Sequence, residues 1–245
     1  MKDERTQRSA PVVVALGGNT LLDRRETARD EQRAVIQQTA EQVVDVVDAG
    51  YDIVLTHGNG PQVGELLLQQ ECAEETTQRS LDVLVAETQA QIGYRLQQAL
   101  TNERPDQLSV LTVITQTVVD PDDPAFREPT KPVGPYYTEA EAATKSFETR
   151  EVSNGERPYR RVVPSPEPVA LVESAEIASL VDRGTLPICA GGGGVPVVRD
   201  DGLRGIEAVV DKDRTSQVLA SELGAETLVV LTDVEHAYVN YGGPD

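Results

Sequence analysis

The residues best suited to chemistry in this chain are three glycine-rich turns. Val12–Asn19, VVVALGGN, is an apolar run that ends in Gly17, Gly18 and Asn19. A short β-rich run stopping at two glycines reads as a buried strand whose backbone turns sharply or approaches a ligand closely. N–H groups freed there, beside a helix N-terminus, face an anion such as a phosphate with partial positive charge. Taken singly, such an ending is a tight turn, and the chain has neither a GxGxxG nor a GxxxxGK[ST] pattern. The pattern repeats, however, in Ile53–Gly60, IVLTHGNG, and in Leu186–Gly194, LPICAGGGG. Strands of a parallel sheet deliver their C-terminal ends to one edge, so the three turns would line one crevice.

A few charged residues stand out beside these turns. Lys131 lies between Pro129-Thr130 and Pro132, where the prolines restrict the backbone that carries it. It is one of only four lysines, which weakens its reading as an ordinary solvated side chain. Lys212 lies between Asp211 and Asp213 at the start of a helical stretch. The two acids suit a helix N-terminus as caps; alternatively, Asp211 orients a phosphate-binding lysine. His57 has no carboxylate or nucleophile beside it in sequence, so it reads as a structural hydrogen-bonding residue rather than a base. Arg160 and Arg161 have many acids to pair with, and pairing is favoured over substrate binding.

The elements that must position these residues alternate between strand and helix. Asp30–Ala49 spaces Val35, Val43, Val46 and Val47 as an amphipathic helix closed by Gly50, and Tyr51–Thr56 returns as a strand, completing a right-handed βαβ unit. A helix passes through Leu66–Leu68, a long one spans Leu81–Leu100, and Val110–Ile114 reads as a buried strand. Residues 120–168, rich in proline and charge, are too long for an ordinary connection. Their Phe126, Tyr136, Tyr137, Phe147 and Tyr159 favour a folded excursion over a disordered insert. A helix from Val172 to Arg183 ended by Gly184, the strand Leu186–Ala190, a hairpin over Val195–Gly205 turning at Asp201-Gly202, a helix Arg214–Leu223 and a strand Thr227–Leu231 complete the pattern.

Composition narrows the class. With 245 residues, 39% of them hydrophobic, the chain can bury one sizeable core or two lobes. Its 41 acidic against 22 basic residues give a net charge of −19, spread along the sequence. Acid excess with scarce lysine fits a saline cytoplasm, where salt screens self-repulsion, and argues against a nucleic-acid partner. Cys72 and Cys189 stand in no metal spacing, and no apolar run approaches the length of a membrane span.

Together the segments ALGGN, THGNGPQVG, ITQTVVD, DPAFREPTKPVGPYY, RRVVPSPEP, AGGGGVPV, EAVVDKD and LTDV resemble, in order, the carbamate kinases of the amino-acid kinase family. Much of that wider family has a lysine in its first strand where this chain has Ala15; in carbamate kinases a lysine on the excursion takes over, here Lys131. The resemblance implies a three-layer αβα sandwich around a mainly parallel sheet. Its substrate lobe would comprise residues 11–119 and 169–183, its protruding subdomain residues 120–168, and its nucleotide lobe residues 184–245. It further implies reversible phosphoryl transfer between ATP and carbamate, giving ADP and carbamoyl phosphate, run towards ATP in arginine fermentation by a cytoplasmic homodimer. Gly17, Gly18, Asn19, Gly58, Asn59 and Gly60 would hold the carbamoyl phosphate side through main-chain donors. Lys131 and Lys212 would bind the transferring phosphoryl group, with Asp211 orienting lysine side chains. The nucleotide, carrying Mg²⁺ on its phosphates, would lie near Gly191, Gly192, Gly193, Gly194, Asp211, Thr232 and Asp233.

Carbamate kinases continue past the LTDV strand through a Met-Gly-Pro-Lys segment that this sequence lacks. Either the sequence is a fragment of a longer protein or it is a natural truncation; in the second case apolar surface near Val229–Leu231 would be left exposed, and impaired nucleotide binding and poor stability are expected of this chain alone. An alternative is a non-catalytic remnant that binds carbamoyl phosphate or pairs with full-length subunits. A kinase with another acceptor is disfavoured by Ala15 and PTKPVGPYY, and a Rossmann dehydrogenase by the glycine spacing of the first turn.

Overall fold

Successive strand residues point to opposite faces of the main sheet, and both faces are covered. The computed structural model describes residues 10–17, 29–73 and 77–232. Its main sheet has five parallel strands in the order β12-β1-β2-β9-β3, where β1 is Val12–Leu16, β2 Ile53–His57, β3 Ser109–Thr112, β9 Thr185–Ile188 and β12 Thr227–Leu231. Val14, Leu16, Leu55 and Ile188 face one side and pack on helices α1 (Arg29–Asp48) and α3 (Leu81–Glu103) through Ile36, Ala40, Val43, Ile92 and Leu96. Val13, Val54 and Cys189 face the other side and meet α5 (Ser174–Asp182) and α6 (Lys212–Glu222) through Ile177, Val181 and Leu219. The result is the expected αβα sandwich.

A second sheet, ordered β11-β10-β4-β8, mixes parallel and antiparallel pairs of Gln116–Val119 (β4), Pro168–Leu171 (β8), Val195–Arg199 (β10) and Leu203–Gly205 (β11). The excursion is folded: Lys131–Tyr137 (β5), Thr149–Glu151 (β6) and Tyr159–Val163 (β7) form an antiparallel sheet in the order β5-β7-β6, with a short helix α4 (Glu139–Ala142) closed by a capping box. Its β5 lies against α2 (Gly60–Cys72), and Val133 and Val163 join Val63, Leu67, Leu81 and Leu84 in a core shared with the body.

Some local expectations shift. The buried stripe of α1 is Ile36, Ala40, Val43 and Val44, while Val46 faces solvent: positions 36, 40, 43 and 44 lie on one helical face and 46 does not. Val110–Ile114 is not a buried strand, because β3 closes the edge of the sheet and leaves Leu111 and Ile114 exposed. Pro168–Leu171 is a strand, which the prolines around it disguised; Pro168 opens the strand, and β8 is at a sheet edge, where a missing N–H is tolerated. The last helix begins at Lys212 rather than Arg214 because Asp211 caps it.

The Gly191–Gly194 turn is closely packed. At Gly193, φ is +86° and an added Cβ would meet the Val210 carbonyl oxygen at 2.3 Å. Gly193→Ala is expected to cost about 1–3 kcal/mol of stability from the left-handed backbone alone, and more from the clash. A urea denaturation midpoint unchanged by this substitution would contradict that packing.

Candidate functional site

The three glycine turns do meet at one sheet edge. Leu16 pairs with His57 on one side and with Leu231 on the other, so Gly17, Gly58 and Thr232 stand level on adjacent strands. The turn after β9 closes on the turn after β2: a Cβ on Gly192 would lie 2.1 Å from the Asn59 side chain, and one on Gly191 2.5 Å from the His57 ring. Gly18, Asn19 and Asp233 lie outside the described residues.

The turns are less open than their sequences suggested. The Gly58 N–H donates to the Leu16 carbonyl at 3.0 Å, continuing the ladder, so the free main-chain donors expected at this turn are fewer by one. The N–H groups of Gly193 and Gly194 donate to Ala190 and Gly191 within their own turn, and all four glycines from Gly191 to Gly194 are buried. Close packing alone therefore accounts for glycine at Gly192 and Gly193. The carbonyl of Gly193 accepts from both Thr117 Oγ1 (2.8 Å) and Thr215 Oγ1 (3.0 Å), tying the turn to β4 and α6.

Charge enters from two distant segments. Lys131, the first residue of β5, donates from Nζ to Asp211 Oδ2 at 3.0 Å. The other oxygen of Asp211 accepts from the N–H of Asp213 (3.0 Å) and Arg214 (3.4 Å), capping α6. Burial pushes the Asp211 carboxyl up; the hydrogen bond and charge of Lys131, with the two N–H donors, outweigh it and leave the group below its ordinary value. Asp211 thus caps α6 and at the same time pairs with Lys131. Lys212 pairs instead with Asp213 at 2.7 Å.

Of the arginines, Arg161 pairs with Glu207 at 3.1 Å as expected. Arg160 finds no acid among the described residues: its guanidinium donates twice to the Gly134 carbonyl and lies 4.9 Å from the Tyr136 ring centre. Missed from sequence was a buried polar scaffold beneath the turns. Asn59 Nδ2 donates to Thr88 Oγ1 (2.9 Å), the Gln89 amide exchanges two hydrogen bonds with the Thr115 backbone, and Thr115 Oγ1 accepts from Ala190 N–H. The available signal was a glutamine on the apolar stripe of α3, between Val85 and Ile92. Among the described residues, no three His, Cys, Asp or Glu side chains converge in a way that would hold a metal ion. No described helix is long and apolar enough to cross a membrane.

Comparison with known proteins adds the context. The chain matches the Amino acid kinase family over residues 10–245. It is 54% identical over 236 residues to the carbamate kinase of Halobacterium salinarum, covering 95% of this chain and 76% of that one. It is 46% identical to that of Thermococcus kodakarensis, covering 96% and 78%. Among solved structures, the carbamate kinase from Giardia lamblia bound to AMP-PNP superposes with a TM-score of 0.84 at 42% identity, over 96% of this chain and 78% of that chain.

His57 supplies a pH test of the buried edge. It is 1% exposed and its Nδ1 lies 3.0 Å from the Gly58 carbonyl, which only accepts, so the proton sits on Nδ1. Burial lowers its pKa from 6.5 to about 4, and the hydrogen bond to Gly58 offsets only part of this. The unfolded chain binds the proton more readily, so this contribution to stability is full above pH 6.5 and is lost as pH falls towards 4. A loss on the order of 3 kcal/mol is expected across that window. Urea midpoints measured against pH should show this slope in the wild-type chain and lose it in His57→Asn.

Proposed function

Because the chain belongs to the carbamate kinases of the amino acid kinase family, we propose that this sheet edge carries reversible phosphoryl transfer between carbamoyl phosphate and ADP. The observation that supports it best is Lys131, held by Asp211 at 3.0 Å beside the N-terminus of α6, on an excursion packed against α2. In the ATP-forming direction an oxygen of the ADP β-phosphate attacks the phosphorus of carbamoyl phosphate. The bond from phosphorus to the carbamoyl oxygen breaks, and carbamate leaves with the electron pair. Little covalent help is needed, so catalysis rests on alignment and on neutralising charge.

In this reading Lys131 moves its ammonium group from Asp211 onto the transferring phosphoryl group, with Lys212 beside it. Asp211, ionised at neutral pH, keeps Lys131 aimed. Gly17, Gly18, Asn19 and the backbone of Asn59 and Gly60 cradle the carbamoyl phosphate side. The nucleotide lies towards Thr232, Asp233 and the Gly191–Gly194 turn, whose role is to shape the floor. Mg²⁺ would enter with the nucleotide phosphates and would supply charge neutralisation there. The lobes are assigned accordingly: substrate at residues 11–119 and 169–183, the excursion at 120–168 as cover, and nucleotide from 184 onward. The enzyme works in a saline cytoplasm, in the arginine deiminase pathway.

In the same reading a second copy of the chain packs on the face formed by α3 and β3. There a cavity of about 450 Å³ is lined by Tyr94, Gln97, Thr101, Thr112 and Ile114, with Tyr94 62% exposed. One observation favours the remnant reading: Val229, Val230 and Leu231 are exposed at the β12 edge, an apolar surface suited to cover by another chain.

ATP formation from ADP, Mg²⁺ and carbamoyl phosphate in molar KCl decides between them. The wild-type chain is expected to make ATP, and Lys131→Ala to lose about 10²–10³ in rate; a folded wild-type chain that makes none supports the remnant. Sedimentation should show a dimer that Tyr94→Glu converts to monomer, and a dimer indifferent to this change would move the interface elsewhere.

A further inference from the structure

The first turn of α2 buries a group that no role above uses. Gln62 is 4% exposed, and its Oε1 atom is buried with no hydrogen-bond partner among the described residues. Native structures rarely leave an amide carbonyl in that state unless a ligand or water meets it. Side chains in a helix tilt towards its N-terminus, so Gln62 leans to the end where the Gly58–Gly60 turn lies. That end is uncapped: Asn59, the N-cap residue, turns its amide to Thr88 instead, and Pro61 has no N–H to offer. It carries the partial positive charge of the helix, and its first turn holds no acidic residue.

Lys131 comes to the same end. Strand β5 runs along α2 in the same direction, because Gly134 lies against Gly64 and the Tyr137 hydroxyl donates to Glu71. From Gly64 to Glu71 the helix advances about 10 Å, and β5, bulged between Val133 and Tyr136, advances in the same sense from Gly134 to Tyr137. Lys131, upstream of Gly134 on β5, therefore lies towards the Gly60 end of α2. An open helix end, a lysine and an unpaired amide acceptor thus stand towards the same end of α2.

Resting on the reading of this crevice as the carbamoyl phosphate site, we propose that Gln62 is the residue that recognises the carbamoyl group. With the phosphate against Lys131 and the helix end, the amino group of the substrate donates an N–H to Gln62 Oε1. The same contact holds carbamate in the reverse direction. Acetyl phosphate has the same phosphate and carbonyl and nearly the same size, but a methyl group in place of the amino group. It leaves Oε1 unpaired, and a site with a buried acceptor rejects such an analogue more strongly than a purely apolar pocket would.

The test titrates the wild-type chain and Gln62→Met with carbamoyl phosphate and with acetyl phosphate, alongside ATP formation by the wild type. The wild type is expected to bind carbamoyl phosphate roughly 10- to 100-fold more tightly than acetyl phosphate, and the variant to bring the two within about threefold. A merely structural role weakens both ligands alike and preserves the ratio, which would overturn the proposal. So would a wild type with no preference, a result that needs no variant. ATP formation by the wild type with an unchanged ratio in Gln62→Met removes Gln62 and leaves the kinase reading standing. A wild type that neither makes ATP nor binds carbamoyl phosphate removes that reading, and this inference with it.

Discussion

The two oxygens of Asp211 join what the chain keeps far apart. One closes the N-terminus of α6, the other holds the ammonium group of Lys131 on the excursion. A carboxylate at a helix N-terminus is already stabilised by the dipole and by N–H donors, so it stays ionised and offers a fixed anion to a cation that arrives from elsewhere. The excursion thereby gains a defined position over the sheet edge, and the lysine a defined direction. The same arrangement suits a phosphate, which presents a stronger anion to the same cation.

The excursion is held at other points by the same physics. Glu71 at the end of α2 accepts from Tyr137 and pairs with Lys145 at 2.7 Å, and Lys145 also lies over the Tyr137 ring at 4.3 Å. Glu207 accepts from both Arg161 and the Leu81 N–H. Carboxylates of the body thus face cations of the excursion at Asp211, Glu71 and Glu207. In a chain with a net charge of −19, basic side chains spent here are a small fraction of the total with a large effect on geometry.

Beneath the edge lies a polar scaffold rather than an apolar one. Thr88, Gln89, Thr115, Thr117 and Thr215 are all buried, and each is hydrogen-bonded to backbone or to another side chain. Such a network pins loops that have no side chains of their own to anchor them. The Gly191–Gly194 turn is held in this way, through the Gly193 carbonyl, so its glycines serve close approach as much as any ligand.

What the sequence determined by itself is what local periodicity and chain punctuation can carry. Apolar runs ending in glycine became parallel strands whose turns share one edge, and amphipathic stretches became the two helical layers. Those outcomes follow from side chains that repeat every two or every 3.6 residues. The tertiary structure decided which distant groups meet. It paired Asp211 with Lys131, 80 residues away, rather than with its neighbour Lys212. It spent the Gly58 N–H on Leu16, turned Val46 outward, exposed the β3 edge and buried the Gln62 amide. None of these is visible in spacing, because each depends on which element happens to lie opposite, and that is fixed only when the layers close around a common core.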